Sequence, residues 1–175
     1  SLVGSLQANS VDMVISGMTA TEERKQIVDF SDVYCTSSVG CVTKADSDIN
    51  SFEDLQNQIV CCSQGTNYEM MIEDIPGTTL KTYQGQAAVG TAVAEATDGV
   101  AAGLTSINGA KKLATTMLDA DGNPMLKYFA LEGARADEYC MAFPKGSELT
   151  AIFNEGIQAL KDSGKLEELI QYWLY

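Results

Sequence analysis

The sequence predicts an α/β fold, because short apolar runs alternate with helical patterns along its 175 residues. The apolar runs are rich in β-branched residues and are bounded by turn residues, which favours strands over helices. The longer stretches between them carry helix-start signals and apolar positions spaced three and four apart. This alternation is typical of βαβ units around a largely parallel sheet.

The strands are predicted from the short apolar runs. They are Val11 to Ser16, Ser38 to Lys44, Ile59 to Ser63, Leu80 to Tyr83, Gly99 to Leu104, Lys127 to Leu131 and Tyr139 to Pro144. Periodicity alone does not separate strand from helix in runs this short, so their brevity and β-branched content decide the assignment.

Helix starts are marked more clearly. The segments Ser51 to Asp54 and Thr66 to Glu69 both fit a capping box, in which a hydroxyl and a carboxylate each accept the other residue's backbone N–H. Ser147 is expected to open a later helix and Gly164 to end it. The terminal helix then carries Trp173 on an apolar face, which predicts that this indole is a packing anchor. The other residues of that face are Leu166, Leu169, Ile170 and Leu174.

The composition excludes several classes of function. The chain has 11 basic and 24 acidic residues and a net charge of -13, which opposes binding to nucleic acid or anionic lipid. It has no histidine, so nucleophilic schemes that use a Ser-His or Cys-His pair are ruled out. No apolar run reaches the roughly 18 residues of a membrane span. No leader pattern opens the sequence, so an export signal is expected to be absent or removed.

The five cysteines are an odd count. Cys61 and Cys62 are adjacent, whereas Cys35, Cys41 and Cys140 are scattered, and this spacing fits neither a zinc site nor a redox CxxC motif. We therefore predict that the cysteines are small apolar residues in strands, and we predict no metal site and no cofactor.

The stretch "SGMTATEERKQIVDFS", residues 16–31, contains the first candidate site. A buried strand is expected to end near Gly17, and Thr21 is expected to cap a short helical turn that carries Arg24. In open α/β sheets ligands bind outside the carboxyl ends of strands, and the planar fork of arginine matches a carboxylate. The alternative is a solvated Arg24 paired with Glu22, Glu23 or Asp29, which contributes about 0 to 1 kcal/mol.

The stretch "VCCSQGTNYE" contains the second candidate site. The strand Ile59 to Ser63 runs into Gly65, Thr66 and Asn67, and Thr66 is expected to cap the helix that follows. Backbone N–H groups at a helix start attract anions. The alternative is an ordinary turn in which Gly65 relieves backbone strain.

These two stretches, together with "ADEYCMAFPKGSELTAIFNEGIQALKDSGKLEELIQYW", resemble the polar amino-acid-binding proteins of ABC importers, the family 3 extracellular solute-binding proteins. The resemblance runs from Leu6 to the C-terminus. It implies a periplasmic-binding-protein type II fold, in which two α/β lobes are joined by a hinge of two crossing strands. Residues 1–40 would form part of the first lobe, residues 41–137 the second lobe, and residues 138–175 the return to the first lobe.

The resemblance also implies the roles of the site residues. Arg24 would clamp the ligand's α-carboxylate, with the hydroxyl and backbone N–H of Thr19 beside it. Thr66 and Asn67 would close on the same carboxylate from the second lobe. The complete implied ligand-binding set is Ser16, Gly17, Met18, Thr19, Arg24, Gly65, Thr66 and Asn67.

The function implied by the resemblance is an extracytoplasmic, non-enzymatic receptor that captures an amino acid or a similar small carboxylate. It would deliver this solute to an ABC transporter permease, and a lipid anchor on a preceding segment is compatible with the family. Three alternatives stay open. One is a cyclohexadienyl-dehydratase-like enzyme that uses Glu69 or Lys111 as a general acid. The others are the ligand-sensing domain of a receptor kinase or channel, and a truncated domain that does not bind alone.

The sequence departs from the family pattern in two places. The family begins well before this chain's first residue, so the first lobe is expected to be incomplete, and an exposed sheet edge would favour self-association or swapping. In "EATDGVAAGLTSINGAKKLA" the family has two carboxylates, the second of which pairs with the ligand's ammonium. Asp98 fits the first position but Gly103 occupies the second. Glu69, or the hydroxyls of Thr105 and Ser106, are the candidate replacements within the chain, and the solute is not identified by the sequence.

Overall fold

The computed structural model describes residues 2–174, which form two compact units, each with its own β-sheet. The first unit comprises residues 2–37 and 137–174, and the second comprises residues 38–136. The chain therefore leaves the first unit after Ser37 and returns to it at Asp137. Within residues 2–174, no helix has the length and apolar character needed to cross a bilayer.

The first unit is built around one strand from the C-terminal part of the chain. Its strands are β1 (Val14–Thr19), β2 (Val28–Phe30), β3 (Cys35–Ser37) and β9 (Asp137–Pro144). The three N-terminal strands all pair antiparallel with β9. Its helices are α1 (Leu2–Gln7), α2 (Glu22–Lys25), α6 (Leu149–Asp162) and α7 (Lys165–Leu174). The buried core of this sheet consists of Leu6, Val14, Met18, Val28 and Ala142.

Helix α6 begins and ends where the sequence predicts, and α7 follows Gly164. The Ser147 hydroxyl accepts the backbone N–H of Leu149 (3.3 Å) at the start of α6, and Gly164 has a φ of +72° between α6 and α7. The prediction that Trp173 is a packing anchor is wrong, because 74% of the residue is exposed and its ring contacts that of Tyr172 (5.0 Å between centroids). An amphipathic spacing shows which residues share a face, but it does not show whether another element covers that face.

The second unit contains a five-stranded sheet in the order β6-β5-β7-β4-β8. Its strands are β4 (Val39–Lys44), β5 (Ile59–Ser63), β6 (Thr79–Tyr83), β7 (Ala102–Ser106) and β8 (Leu126–Ala130). Its helices are α3 (Tyr68–Glu73), α4 (Gln86–Ala94) and α5 (Ile107–Thr116), with short 3-10 turns at Glu53–Leu55 and Thr97–Gly99. Apolar clusters cover both faces of this sheet.

The expectation of a largely parallel sheet is wrong. In the second unit β5 is parallel to β6 and β7, but β4 is antiparallel to β7 and β8. In the first unit, the named strands all run antiparallel to β9. A buried strand reads as an apolar run whichever way its neighbours point, so the sequence pattern did not reveal strand direction.

Strand bounds also differ from the sequence expectation in two places that matter for the site. The first strand is Val14–Thr19 rather than Val11 to Ser16, so it includes Gly17 and Met18. The strand predicted at Gly99 to Leu104 is Ala102–Ser106, because residues 97–99 form a turn in which Asp98 has a left-handed φ of 53°. The strand Ile59–Ser63 has the predicted bounds.

All five cysteines are buried and unbonded, and each lies in a strand, which confirms their prediction as small apolar residues. Burial raises the pKa of Cys41 and of Cys61 to about 12, and that of Cys62 to about 11. Since the thiolate is the reactive form, these thiols are protected by both protonation and packing.

We expect the native protein to react slowly with Ellman's reagent at pH 8, and all five thiols to react once guanidinium unfolds the chain. The measurement is the absorbance released before and after denaturation. Rapid labelling of the native protein would contradict the burial of these strands.

A matched pair of glycine substitutions tests the packing of β7. A Cβ on Gly103 would lie 2.8 Å from Val89 Cγ1 and 3.1 Å from Val42 Cγ2. Gly103→Ala is therefore expected to lower the free energy of unfolding by about 1 to 3 kcal/mol through overpacking. A Cβ on Gly156, within α6, would meet no heavy atom within 4 Å. Gly156→Ala is expected to raise stability by about 0.5 to 1 kcal/mol. Urea titration of both variants checks the opposite signs.

Candidate ligand-binding residues

A bulge in β1 shapes the first candidate site. Val14 pairs with Ala142 and Met18 pairs with Cys140. The chain therefore advances four residues along β1 while it spans only two residues of β9. The extra residues include Gly17, whose φ of +47° suits glycine, and Ser16, which is exposed. Bulges of this kind re-aim side chains and are common beside functional sites. The Met18 side chain returns to the core, so only its backbone is suited to contact a ligand.

Two tyrosines hold the bulge, and the sequence analysis missed both. The phenolic oxygen of Tyr34 accepts the backbone N–H of Gly17, although burial is the larger effect and raises the pKa of Tyr34. The ring of Tyr139 lies 3.5 Å from the position that a Cβ on Gly17 would occupy. A side chain at position 17 would therefore be strained by the positive φ, and its Cβ would lie in van der Waals contact with the Tyr139 ring. The sequence carries no signal for this contact, because Tyr139 lies on β9, far along the chain.

Arg24 is tied to the end of β1. The Thr21 hydroxyl accepts the backbone N–H of Arg24 (3.3 Å), which confirms Thr21 as the cap of α2. Arg24 Nη1 donates to the backbone oxygen of Thr19 (2.9 Å), and the side chain is half-buried. This bond restricts the rotamers of the guanidinium and keeps its fork beside the last residue of β1.

Neighbouring carboxylates bond to lysines. Glu22 pairs with Lys25 (2.7 Å), and Asp29 pairs with Lys145 (2.7 Å). The Lys145 hydrogen bond, followed by the Gly146 N–H, lowers the pKa of Asp29. Two of the carboxylates suggested as partners for a solvated Arg24 therefore have lysine partners.

The Thr19 hydroxyl is buried without a hydrogen-bond partner among residues 2–174. Leaving such a group unsatisfied costs about 1 to 3 kcal/mol. Thr19 also supplies the carbonyl that anchors Arg24, so the unsatisfied hydroxyl and the guanidinium belong to the same local structure. The end of β1 therefore carries a neutral donor and a charged donor close together.

The second candidate site is the loop after β5. Gly65 has a φ of +78°, and its N–H donates to Glu69 Oε1 (2.5 Å). The Thr66 hydroxyl donates to the backbone oxygen of Ser63 (2.7 Å). Helix α3 then begins at Tyr68, with Asn67 as its N-cap residue and no side-chain capping bond.

The expectation that Thr66 caps this helix is therefore wrong. The Glu69 carboxylate does reach back to a backbone N–H, but that group belongs to Gly65 rather than to Thr66. The Thr66 hydroxyl instead donates to the Ser63 carbonyl, a local side-chain-to-backbone bond of the kind that competes with capping. The sequence pattern identified a hydroxyl and a carboxylate at capping-box spacing. It did not identify the hydrogen-bond partners of these two groups.

The strand ends beside this loop carry uncharged polar side chains, several of which the sequence analysis also missed. Gln84 Nε2 donates to Gln64 Oε1, which links the residues after β6 and β5. Gln86 Nε2, in the first turn of α4, is buried and has no partner within the described part of the chain. Ser106, at the end of β7, accepts the backbone N–H of Gly109 (3.2 Å) and so caps α5.

The family resemblance puts Gly103 at the position of the carboxylate that pairs with the ligand's ammonium, but Gly103 does not lie at a strand end. It is buried in the middle of β7 and packs against Val42 and Val89. Asp98 lies before that strand, is exposed and pairs with Lys81 (3.6 Å). The residue at the carboxyl end of β7 is Ser106, which is neutral.

The structure thus groups the predicted residues into two local sets. Ser16, Gly17, Met18, Thr19 and Arg24 lie together in the first unit, around the end of β1. Gly65, Thr66 and Asn67 lie together in the second unit, after β5.

Comparison with known proteins gives a consistent result. A family model described as bacterial extracellular solute-binding proteins, family 3, matches residues 1–175. The chain is 35% identical to the arginine-binding extracellular protein ArtP of Bacillus subtilis over 181 residues, covering 99% of this chain and 67% of ArtP. It is 30% identical to the ABC transporter glutamine-binding protein GlnH of Bacillus subtilis over 174 residues, covering 97% of this chain and 60% of GlnH.

A solved structure supports the fold. The arginine-, lysine-, histidine-binding protein ArtJ of Geobacillus stearothermophilus superposes with a TM-score of 0.83 at 29% identity, covering 99% of this chain and 74% of ArtJ. The chain thus spans roughly two thirds of the two curated relatives, and its two α/β units have the type II binding-protein fold. The match over the whole chain, the fold and the 35% identity to ArtP show that this chain belongs to family 3 of the bacterial extracellular solute-binding proteins.

Proposed function

We propose that the protein is an extracytoplasmic receptor that binds an amino acid or a similar small carboxylate and delivers it to an ABC transporter permease. The names of ArtP and GlnH, an arginine-binding extracellular protein and a glutamine-binding protein of an ABC transporter, support this class of solute and partner. Lipid anchoring belongs to the same proposal, as an expectation from the family.

The observation that carries the proposal is that Arg24 is anchored to Thr19, the residue whose buried hydroxyl has no partner among residues 2–174. The guanidinium is held by the Thr19 carbonyl at 2.9 Å, and the Thr19 hydroxyl lacks a partner among the residues described. A ligand carboxylate would give the hydroxyl an acceptor and would accept charge-assisted hydrogen bonds from the guanidinium. Charge-assisted hydrogen bonds of this kind contribute about 1.5 to 3 kcal/mol each.

Backbone groups complete the proposed first-unit contacts. Ser16 and Gly17 lie in the exposed bulge, whereas Met18 would take part only through its backbone. The Gly17 N–H already donates to Tyr34, so its use by a ligand would require an exchange of acceptors.

Gly65, Thr66 and Asn67 are proposed as the ligand-binding residues of the second unit. The Gly65 N–H and the Thr66 hydroxyl each have a partner within the loop, so ligand binding would replace or extend these bonds. A micromolar affinity corresponds to roughly 8 kcal/mol, of which charge-assisted hydrogen bonds would supply a part.

A dehydratase activity has less support. It requires a general acid positioned at the ring substrate. Of the two candidates, Lys111 is exposed on α5 and Glu69 accepts the Gly65 N–H. The relatives ArtP and GlnH are named as binding proteins.

Arg24→Ala tests the anion clamp. We expect it to weaken the binding of L-arginine or L-glutamine by about 10- to 100-fold, because a charge-assisted bond to the carboxylate is lost. Arg24→Lys should recover only part of this affinity, since an ammonium lacks the planar fork. Isothermal titration calorimetry measures the affinities.

The control for this experiment is Arg135→Ala, which removes the chain's other arginine from an exposed position in the second unit. Its ligand affinity is expected to match that of the wild type. Unchanged binding by Arg24→Ala would rule out Arg24 as the clamp. A wild-type protein that binds none of the amino acids at millimolar concentration would refute the proposed function.

Thr19→Val tests the buried hydroxyl and has two expected effects of opposite sign. Without ligand, removal of an unsatisfied buried hydroxyl should leave stability unchanged or raise it by up to about 1 kcal/mol. With ligand, affinity should fall, because the valine methyl does not donate to the carboxylate. Thermal unfolding with and without L-arginine or L-glutamine separates the two effects.

Thr150→Val is the matched control, because the Thr150 hydroxyl on α6 is likewise buried without a partner within residues 2–174. It should change stability in the same direction while leaving affinity unaltered. Equal affinity losses in both variants would argue against a specific role for Thr19.

A further inference from the structure

Helix α2, which carries Arg24, is too short to be stable by itself. It consists of the four residues Glu22–Lys25, whereas isolated helices shorter than about 12 residues are marginal in water. Its N-terminal end is fixed by Thr21, whose hydroxyl accepts the backbone N–H of Arg24. The carbonyls at the other end have no further helical turn to bond, so that end depends on partners outside the helix.

The last carbonyl of α2 is bonded by a residue far along the chain. Lys145 Nζ donates to the backbone oxygen of Lys25 (2.8 Å), although 120 positions separate the two residues in sequence. The same ammonium pairs with Asp29 Oδ1 (2.7 Å). An ammonium has three N–H donors, so it makes both bonds at once. Lys145 therefore links the C-terminal end of α2 to Asp29 on β2.

Asp29 is itself fixed by the sheet and by the turn after β9. Its backbone pairs with Phe143 in the antiparallel register of β2 and β9. Its second carboxylate oxygen, Oδ2, accepts the backbone N–H of Gly146 (2.7 Å). The Lys145 hydrogen bond, followed by the Gly146 N–H, lowers the pKa of Asp29, so the folded structure favours the charged carboxylate. The link from Lys145 to α2 thus starts from a carboxylate that is bonded at both oxygens.

Arg24 lies between the two fixed ends of α2. Its guanidinium donates to the Thr19 carbonyl (2.9 Å), and the residue that follows it, Lys25, is the one that Lys145 bonds. A shift of α2 would move the Arg24 backbone relative to the end of β1. Ligand-orienting side chains need supporting residues that keep them within about 0.5 Å of the productive geometry.

We infer that Lys145 is a positioning residue for Arg24: by joining Asp29 to the last carbonyl of α2, it fixes the direction from which the guanidinium meets a solute carboxylate. The inference rests on the proposed function and deepens it, because it assigns part of the affinity to a side chain that acts through Arg24. The alternative is an ordinary exposed ion pair that stabilises the fold slightly and has no effect on the guanidinium. The two differ in whether the effect of Lys145 depends on Arg24.

Lys145→Met is the decisive variant, because it removes the ammonium and keeps most of the aliphatic stem. It is titrated calorimetrically with L-arginine and L-glutamine, alone and combined with Arg24→Ala. We expect it to weaken binding by about 3- to 10-fold when Arg24 is present, as for the loss of one hydrogen bond. In the Arg24→Ala background the loss should be less than about twofold, since two residues that act as one unit are non-additive.

Asp29→Asn tests the other end of the link. It removes the negative charge that Lys145 bonds but keeps an amide oxygen for the Gly146 N–H. Affinity should fall in the same direction as in Lys145→Met. The double variant of Asp29 and Lys145 should bind no more weakly than Lys145→Met alone, because both substitutions break the same link.

The matched control is Lys165→Met, which breaks another exposed ion pair of the first unit, between Lys165 and Glu168 (2.6 Å). Its affinities for both probes should equal those of the wild type. Thermal unfolding without ligand shows that each variant is folded before titration. A loss in Lys165→Met as large as that in Lys145→Met would overturn the inference, because any exposed pair would then have the same effect.

Amide hydrogen exchange gives a measurement that needs no solute. The N–H of Lys25 donates to the Thr21 carbonyl (2.9 Å), and the N–H of Ile27 donates to the Arg24 carbonyl (3.0 Å). Lys145→Met should speed exchange at these two amides by about 3- to 10-fold, because α2 opens more often without its C-terminal bond. Lys165→Met should leave both rates unchanged.

The outcomes separate this inference from the proposed function. If the wild type binds the probes and Lys145→Met binds them equally well, the inference is overturned and the receptor function stands. Unchanged exchange at the amides of Lys25 and Ile27 overturns it too. Equal losses with and without Arg24 also overturn it, since Lys145 would then act independently of the guanidinium. A wild type that binds neither probe refutes the proposed function, and the exchange rates then test the ordering of α2 by themselves.

Discussion

The pairing of β9 with three N-terminal strands is the constraint on which the first unit depends. Residues 137–144 align β1, β2 and β3, so the candidate anion site forms only after the C-terminal part of the chain has folded against the N-terminal part. The bulge in β1 is a mismatch of register against this strand, and it exposes Ser16 while returning Met18 to the core. Bringing such distant segments together costs loop-closure entropy before their contacts stabilise the fold.

The Arg24 guanidinium and the Thr19 hydroxyl follow from that arrangement. The end of β1 supplies a carbonyl to the guanidinium, and Thr21 caps the short helix that carries the arginine. Burial of the Thr19 hydroxyl without a partner among residues 2–174 lowers the stability of the fold. A binding protein gains from such a cost, because a ligand that satisfies the hydroxyl recovers the free energy as affinity and selectivity.

Electrostatics distinguishes the two sets of proposed ligand-binding residues. The first offers a cation and hydroxyl donors, whereas the second offers Glu69 among uncharged side chains. In a chain with a net charge of -13, a carboxylate ligand needs a local positive group to overcome the overall field.

The sequence by itself determined the features that depend on local chemistry. It predicted the α/β class, the bounds of Ile59–Ser63, the Thr21 cap, the helix boundaries at Ser147 and Gly164, and the family through the residues around Arg24. Capping, turn chemistry and apolar content act between residues close in sequence, so a single sequence reveals them. Tertiary structure alone decided strand direction, the exposure of Trp173, the position of Gly103 inside β7 and the acceptor chosen by Thr66. Each of these depends on which distant segment or competing acceptor lies nearby, and the local pattern does not encode that neighbour.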